Sequence, residues 1–169
     1  MGVLVADTSG LVSLGIAADR TSNPLALCVA AYDVVVPESV IGELDAVASY
    51  DDDHGRAATA VLDHRAAMTV QPVDLDAEFP LDDGENAAVT LANERDAALL
   101  LCDEFNRLGL IHASLVDTRL VTTPTLLSVF VRTDQLTAAD ARTLLADIST
   151  ARSWDANSYV QRARSLLDD

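Results

Sequence analysis

The chain of 169 residues contains no lysine: its 11 basic residues are all arginine, set against 27 Asp and Glu. Without lysine there is no Walker-A Gly-Lys-Ser/Thr, no Schiff-base lysine and no kinase lysine. A phospho-receiver domain, which also places acids at strand ends, needs a lysine and falls with them. Aromatic residues are scarce at 4%. The two cysteines, Cys28 and Cys102, lack metal-ligand spacing, and they are expected to be reduced, buried thiols in a cytoplasmic setting. No apolar run approaches the roughly 18–20 residues of a membrane span. The N-terminus has no basic region and carries Asp7 inside its first apolar run, which argues against a signal peptide. His54, His64 and His112 have no convincing nucleophile partner, and Ser9 with a distant histidine makes no triad signal.

What the chain does have is apolar content and negative charge. At 50% hydrophobic it can bury the core of one globular domain. A net charge of −16 brings strong self-repulsion. Salt relieves such repulsion by shortening its range to about 3 Å at 1 M. An acidic, lysine-free surface resembles the proteins of salt-loving archaea. The alternative is an acidic protein from a high-GC organism.

Short β-branched runs alternate with helical patterns. Strands are expected at 3–6, 34–36, 68–73, 98–102 and 119–121. Helices are expected at 9–18, 22–31, 38–49, 56–67, 84–95 and 105–114, with another opened by Thr123-Pro124. Asp51 to Gly55 reads as a loop and 74–82 as a linker. This alternation argues an α/β fold, a three-layer sandwich around a central, short-stranded parallel sheet of Rossmann-like type. After about residue 135 the pattern is helical only. Thr137-Ala138-Ala139-Asp140 resembles a capping box, and Ser153-Trp154-Asp155 is expected to start the last helix. The division is therefore a domain over 1–135 and a C-terminal helical extension over 136–169. Trp154 and Tyr159 in that extension suit core cover, with a possible dimer or partner surface.

Four carboxylates stand where packing explains them poorly. Asp7 ends the run Val3 to Ala6, and Asp103 ends Leu99 to Cys102. Glu43 shares a helix face with Val40 and Val47, and Glu85 with Ala88, Val89 and Ala92, so both are expected to point to the covered side. Taken singly, Asp7 and Asp103 read as helix caps. Glu43 and Glu85 read equally well as half-buried acids paired with arginine. Taken together, they converge on the carboxyl edge of one parallel sheet, where sites form in such folds. Carboxylates that close repel one another unless a cation neutralises them, and oxygen-only ligands select Mg²⁺ or Mn²⁺. Such a site suits phosphodiester hydrolysis. Asp51 to Asp53, Asp74, Asp76, Glu78, Asp168 and Asp169 fall in loops or the tail and are expected to be solvated.

Leu4-Val5-Ala6-Asp7-Thr8-Ser9, Val36-Pro37-Glu38-Ser39-Val40-Ile41-Gly42-Glu43-Leu44, Leu81-Asp82-Asp83-Gly84-Glu85-Asn86-Ala87-Ala88-Val89 and Leu99-Leu100-Leu101-Cys102-Asp103-Glu104 occur in the order and spacing of PIN domains. Over about residues 1–135 the chain resembles that family. Thr122-Thr123-Pro124-Thr125-Leu126-Leu127 resembles the segment that opens the family's last core helix, with Thr122-Thr123 in place of Gly-Thr. The resemblance implies a Mg²⁺- or Mn²⁺-dependent ribonuclease whose metal-binding and catalytic acids are Asp7, Glu43, Glu85 and Asp103. It implies a supporting role for Ser9, with Asp83 and Glu104 as outer or water-mediated ligands and Arg107 as the surviving basic residue. Many relatives are toxins of VapBC-type toxin–antitoxin pairs and form homodimers, and others process ribosomal RNA. The partners implied are an RNA substrate and an antitoxin protein. The competing reading is a PIN-like module without activity that binds a protein partner, in keeping with so little basic surface.

Overall fold

The computed structural model describes residues 1–168; Asp169 lies outside the described residues. Five strands form one parallel sheet: β1 Val3–Ala6, β2 Asp33–Pro37, β3 Thr69–Gln71, β4 Leu99–Leu101 and β5 Arg119–Val121. Their spatial order is β3-β2-β1-β4-β5. The chain winds outward from β1 through β2 and β3, then returns to the other side of β1 for β4 and β5. The switch point therefore lies between β1 and β4, where the connections at the carboxyl edge part and leave a crevice. Ala6 pairs with Leu101 across that junction, so Asp7 and Cys102 leave the sheet side by side.

The described helices are α1 Thr8–Ile16, α2 Pro24–Ala31, α3 Glu38–Ala48, α4 Asp53–Asp63, α5 Asp83–Glu94, α6 Leu108–Ser114, α7 Thr123–Arg132, α8 Ala138–Arg152 and α9 Ser158–Asp168. They cover both faces, as the apolar strands require. Alternation along the strands divides the core. Leu4, Ala6, Val34, Val36 and Leu101 face the larger cluster with α1 to α4 and α7 to α9. Val5, Val35 and Leu100 face the smaller one with α5 and α6. Leu144, Leu145, Ile148, Trp154, Val160 and Leu167 of the C-terminal segment belong to the larger cluster. Cys28 and Cys102 are free and buried, as expected. No helix among the described residues is long and apolar enough to cross a membrane.

Three local expectations are corrected. The acidic stretch at 51–55 is not all loop: the Asp52 side chain caps α4 by accepting from the Gly55 amide at 2.8 Å, and Asp53 is already helical. Helix α7 is capped by Thr122 rather than Thr123. Ser153 does not start the last helix. It ends α8 in a left-handed conformation with φ 59°, and Asn157 provides the acceptor for the first turn of α9. Serine and asparagine serve at either end of a helix in short-range sequence terms, so only the chain path separates these roles.

One close approach sets the site. A Cβ on Gly10 would lie 2.6 Å from Leu101 Cγ. Without that side chain, α1 begins directly against the end of β4.

Candidate active site

Asp7 follows β1 and caps α1, as its position after an apolar strand suggested. Its carboxylate accepts from the Ser9 amide at 3.4 Å, the Ser9 hydroxyl at 3.3 Å and the Cys102 thiol at 3.1 Å. Among the described residues no basic side chain pairs with it. Burial pushes its pKa up to about 6 against the pull of the thiol, and the negative charges of Glu104 and Glu43 add to the rise.

Ser9 joins the two strand ends. Its hydroxyl oxygen accepts from the Asp103 amide at 3.0 Å while its proton goes to Asp7. Ser9 thus bridges the residues that follow β1 and β4. Glu43 approaches from α3. The Thr8 hydroxyl donates to its Oε2 at 2.7 Å, and a Cβ on Gly84 would lie 3.1 Å from its Oε1. Glu43 therefore spans the first turns of α1 and α5. It does not point to the covered side as its spacing suggested. Val40, Ile41 and Leu44 form the buried stripe of α3, and Glu43 stands exposed at its margin, over the crevice.

Glu85 is buried on the first turn of α5, as expected, and is the acid that carries its own cation. Arg107 Nε reaches its Oε1 at 2.9 Å and Nη2 reaches Oε2 at 3.1 Å. The expected basic residue is present, turned onto a carboxylate. Asp82 caps the same helix through the Glu85 amide at 2.8 Å.

The two acids after β4 separate. Asp103 is bonded to the start of α7. It accepts the Thr123 amide at 2.7 Å and the Thr123 hydroxyl at 2.6 Å. Burial raises its pKa, and these bonds with the charge of Arg152 oppose the rise. Glu104 is exposed. Partial desolvation raises its pKa, Arg152 opposes, and Glu85 and Asp82 add repulsion. Glu104 thus faces Asp7 on one side and the start of α5 on the other. Asp83, named from its position in the motif, is exposed at the first position of α5, and its neighbour Asp82 is the one acting on Glu104.

Repulsion links Asp7 with Glu104 and Glu43, and Glu104 with Glu85, Asp82 and Asp103. Sequence reasoning missed Asp82, Cys102, Thr123 and Arg152. The spacing from Asp82 to Glu85 is a capping-box signal and pointed to Asp82; nothing local marked the others, which lie far along the chain. Among the described residues no three His, Cys, Asp or Glu side chains converge, as they stand, into a ready cation cage. The donors are nevertheless carboxylate and hydroxyl oxygens, the set a hard divalent cation takes. Burial does most to lift Asp7, and the repulsion from Glu104 and Glu43 that adds to it is what such a cation relieves.

A comparison with curated proteins gives no match. A family model described as PIN domain matches residues 3–169, C-terminal helices included, and the chain belongs to the PIN-domain family, a nuclease-type fold.

Proposed function

We propose that the protein is a metal-dependent endoribonuclease acting at the crevice between β1 and β4. The observation that carries this reading is the Asp7 carboxylate. It is buried, without a basic partner among the described residues, and its pKa is raised first by that burial and then by Glu104 and Glu43. Folding gains nothing from that arrangement. It becomes favourable once positive charge enters.

In this reading Asp7, Glu43 and Glu104 hold Mg²⁺ or Mn²⁺, and Glu85 joins them when Arg107 lets it go. Bound there, the ion would acidify a water and neutralise the phosphodiester. The protein's own groups orient the rest. Ser9 and Cys102 fix the rotamer of Asp7, and Thr8 fixes Glu43. Arg107 keeps its Nη1 donors for a phosphate while Nε and Nη2 hold Glu85. Asp103, the fourth acid of the motif, acts as a positioning residue: it ties β4 to α7 and so aims Glu104.

RNA is the substrate class, the setting is cytoplasmic, and a homodimer with an antitoxin-like partner fits a toxin of a toxin–antitoxin pair. High salt suits the charge of −16. The test is cleavage of single-stranded RNA with Mn²⁺ or EDTA, using wild type, Asp7→Asn and Glu104→Gln. Equal cleavage by all three rejects the assignment. A second reading, a PIN module that binds a protein partner without cutting, draws on the Arg107–Glu85 pair, which withdraws one acid from a shared ion. Mn²⁺ binding to the wild type, followed by isothermal calorimetry, separates the two: a module of that kind takes up none.

A further inference from the structure

Beside the acid crevice lies a groove of about 340 Å³ among α6, β5, α7 and α9. Three links place its walls next to the acids. Leu108 follows Arg107, which holds Glu85; Thr122 precedes Thr123, which holds Asp103; and Tyr159 stacks on Phe105, which follows Glu104. Neighbouring Cα atoms are about 3.8 Å apart, so groove and crevice share an edge.

The lining differs from that of a larger cavity elsewhere in the molecule. That cavity, about 740 Å³ between α1, α4 and α8, is faced by Asp19, Asp53, Asp63 and Asp147 together with Arg20, Arg56 and His64. The groove beside the crevice has no carboxylate in its lining. One wall is an aromatic face. Tyr159 is 51% exposed, yet its ring is held offset-parallel to Phe105, with centroids 5.7 Å apart and planes 13° apart. Phe105 is fixed in turn by the edge of buried Trp154 at 5.0 Å, whose ring carries the Arg152 guanidinium 5.8 Å away. An exposed tyrosine held this firmly is a platform. Opposite it stand polar groups with capacity left. Thr122 accepts from the Thr125 amide and donates to the Thr125 hydroxyl, so the Thr125 hydroxyl keeps its own proton for a ligand. His112 is exposed on the rim.

We propose that this groove is a base-binding subsite. A nucleobase unstacked from single-stranded RNA lies against Tyr159, with its edge toward Thr125 and His112, while the adjoining phosphate reaches the acids. The proposal rests on the nuclease reading and adds the part of the substrate that carboxylates cannot recognise. Aromatic stacking suits a protein of this charge, because it holds RNA without needing phosphate neutralisation and survives high salt. It also gives the C-terminal segment a part in the site, since Arg152 ends α8, Trp154 lies in the connection after it and Tyr159 belongs to α9.

The probe is a single-stranded oligoribonucleotide carrying 2-aminopurine, with Ca²⁺ as the only divalent cation and RNA integrity checked on a gel. Wild type is expected to change the 2-aminopurine emission on binding. Tyr159→Ala is expected to weaken binding about 5- to 100-fold and abolish the change, while Tyr159→Trp keeps both. Should Tyr159→Ala lower the melting temperature, Gly109→Leu decides. A Cβ there would meet nothing within 4 Å, and Gly109 lines the groove, so a leucine is expected to obstruct it without disturbing the core. It is expected to weaken binding similarly. Wild-type affinity and emission in both Tyr159→Ala and Gly109→Leu, beside active wild-type cleavage, overturn the subsite alone. A wild type that neither binds nor cuts RNA overturns the nuclease reading and the subsite together.

Discussion

The ends of β1 and β4 lie side by side, and each continues into an acid, yet the two carboxylates are used in opposite ways. Asp7 faces the crevice without a basic partner, and its pKa is pushed up to about 6. Asp103 faces inward and is satisfied by an amide and a hydroxyl of Thr123. One position gives up stability for an open charge. The other uses its charge to fasten a helix. The same strand-end placement therefore identifies a region of the sheet edge, and the partner that each side chain finds decides its role.

Substitution of Asp7 tests that contrast hardest. Asp7→Asn is expected to reduce RNA cleavage by at least about 10²-fold in a gel assay, as loss of a group acting in the transition state does. It is also expected to stabilise the metal-free fold at pH 7. The folded pKa lies above the ordinary value of 3.8. The penalty is therefore absent below about pH 4, grows as pH rises, and is complete above the folded value near 6. Removing it yields on the order of 2–3 kcal/mol in urea unfolding. A neutral-pH loss of stability in Asp7→Asn breaks the comparison.

Asp103→Ala is expected to do the reverse. Losing two short bonds to a buried carboxylate costs about 2–4 kcal/mol, read as a lower urea midpoint. Glu104→Gln is the paired control: it changes stability by less than about 0.5 kcal/mol, as exposed substitutions do, and lowers cleavage. If Asp103→Ala keeps the stability of wild type, the fastening role is wrong.

Arg107→Met strands Glu85 in its buried position. The expected cost is about 1–3 kcal/mol in metal-free buffer, shrinking when saturating Mn²⁺ is added, because a cation then serves Glu85 instead. An unchanged cost with Mn²⁺ leaves Glu85 outside the ion site. Ser9→Ala is expected to cost about 1 kcal/mol from the lost bridge between the strand ends. A shift in the pH dependence of cleavage accompanies it, since the proton that Ser9 gives Asp7 is gone.

The layered α/β fold and the sheet edge that carries the acids were legible in the sequence, because both follow from short-range pattern. Buried β-branched runs such as Val34-Val35-Val36, the acid directly after β1 and the acid two residues past the end of β4 mark strand ends without reference to the rest of the chain. Helix ends were less legible. Ser153 and Asp52 form caps whose direction depends on where the chain goes next. Glu43 lies at the boundary of its helix's apolar stripe, so spacing alone put it on the wrong side.

The sequence by itself determined that a parallel sheet would present acids at its carboxyl edge, since strand periodicity and apolar burial operate over a few residues. Only the tertiary structure decided which acids share the crevice. That choice rests on partners far apart in the chain: Cys102 on Asp7 across 95 residues, Thr123 on Asp103, Arg107 on Glu85. A carboxylate is costly to bury alone and cheap to bury with donors. Its role is therefore set by whichever donors the packed fold brings to it.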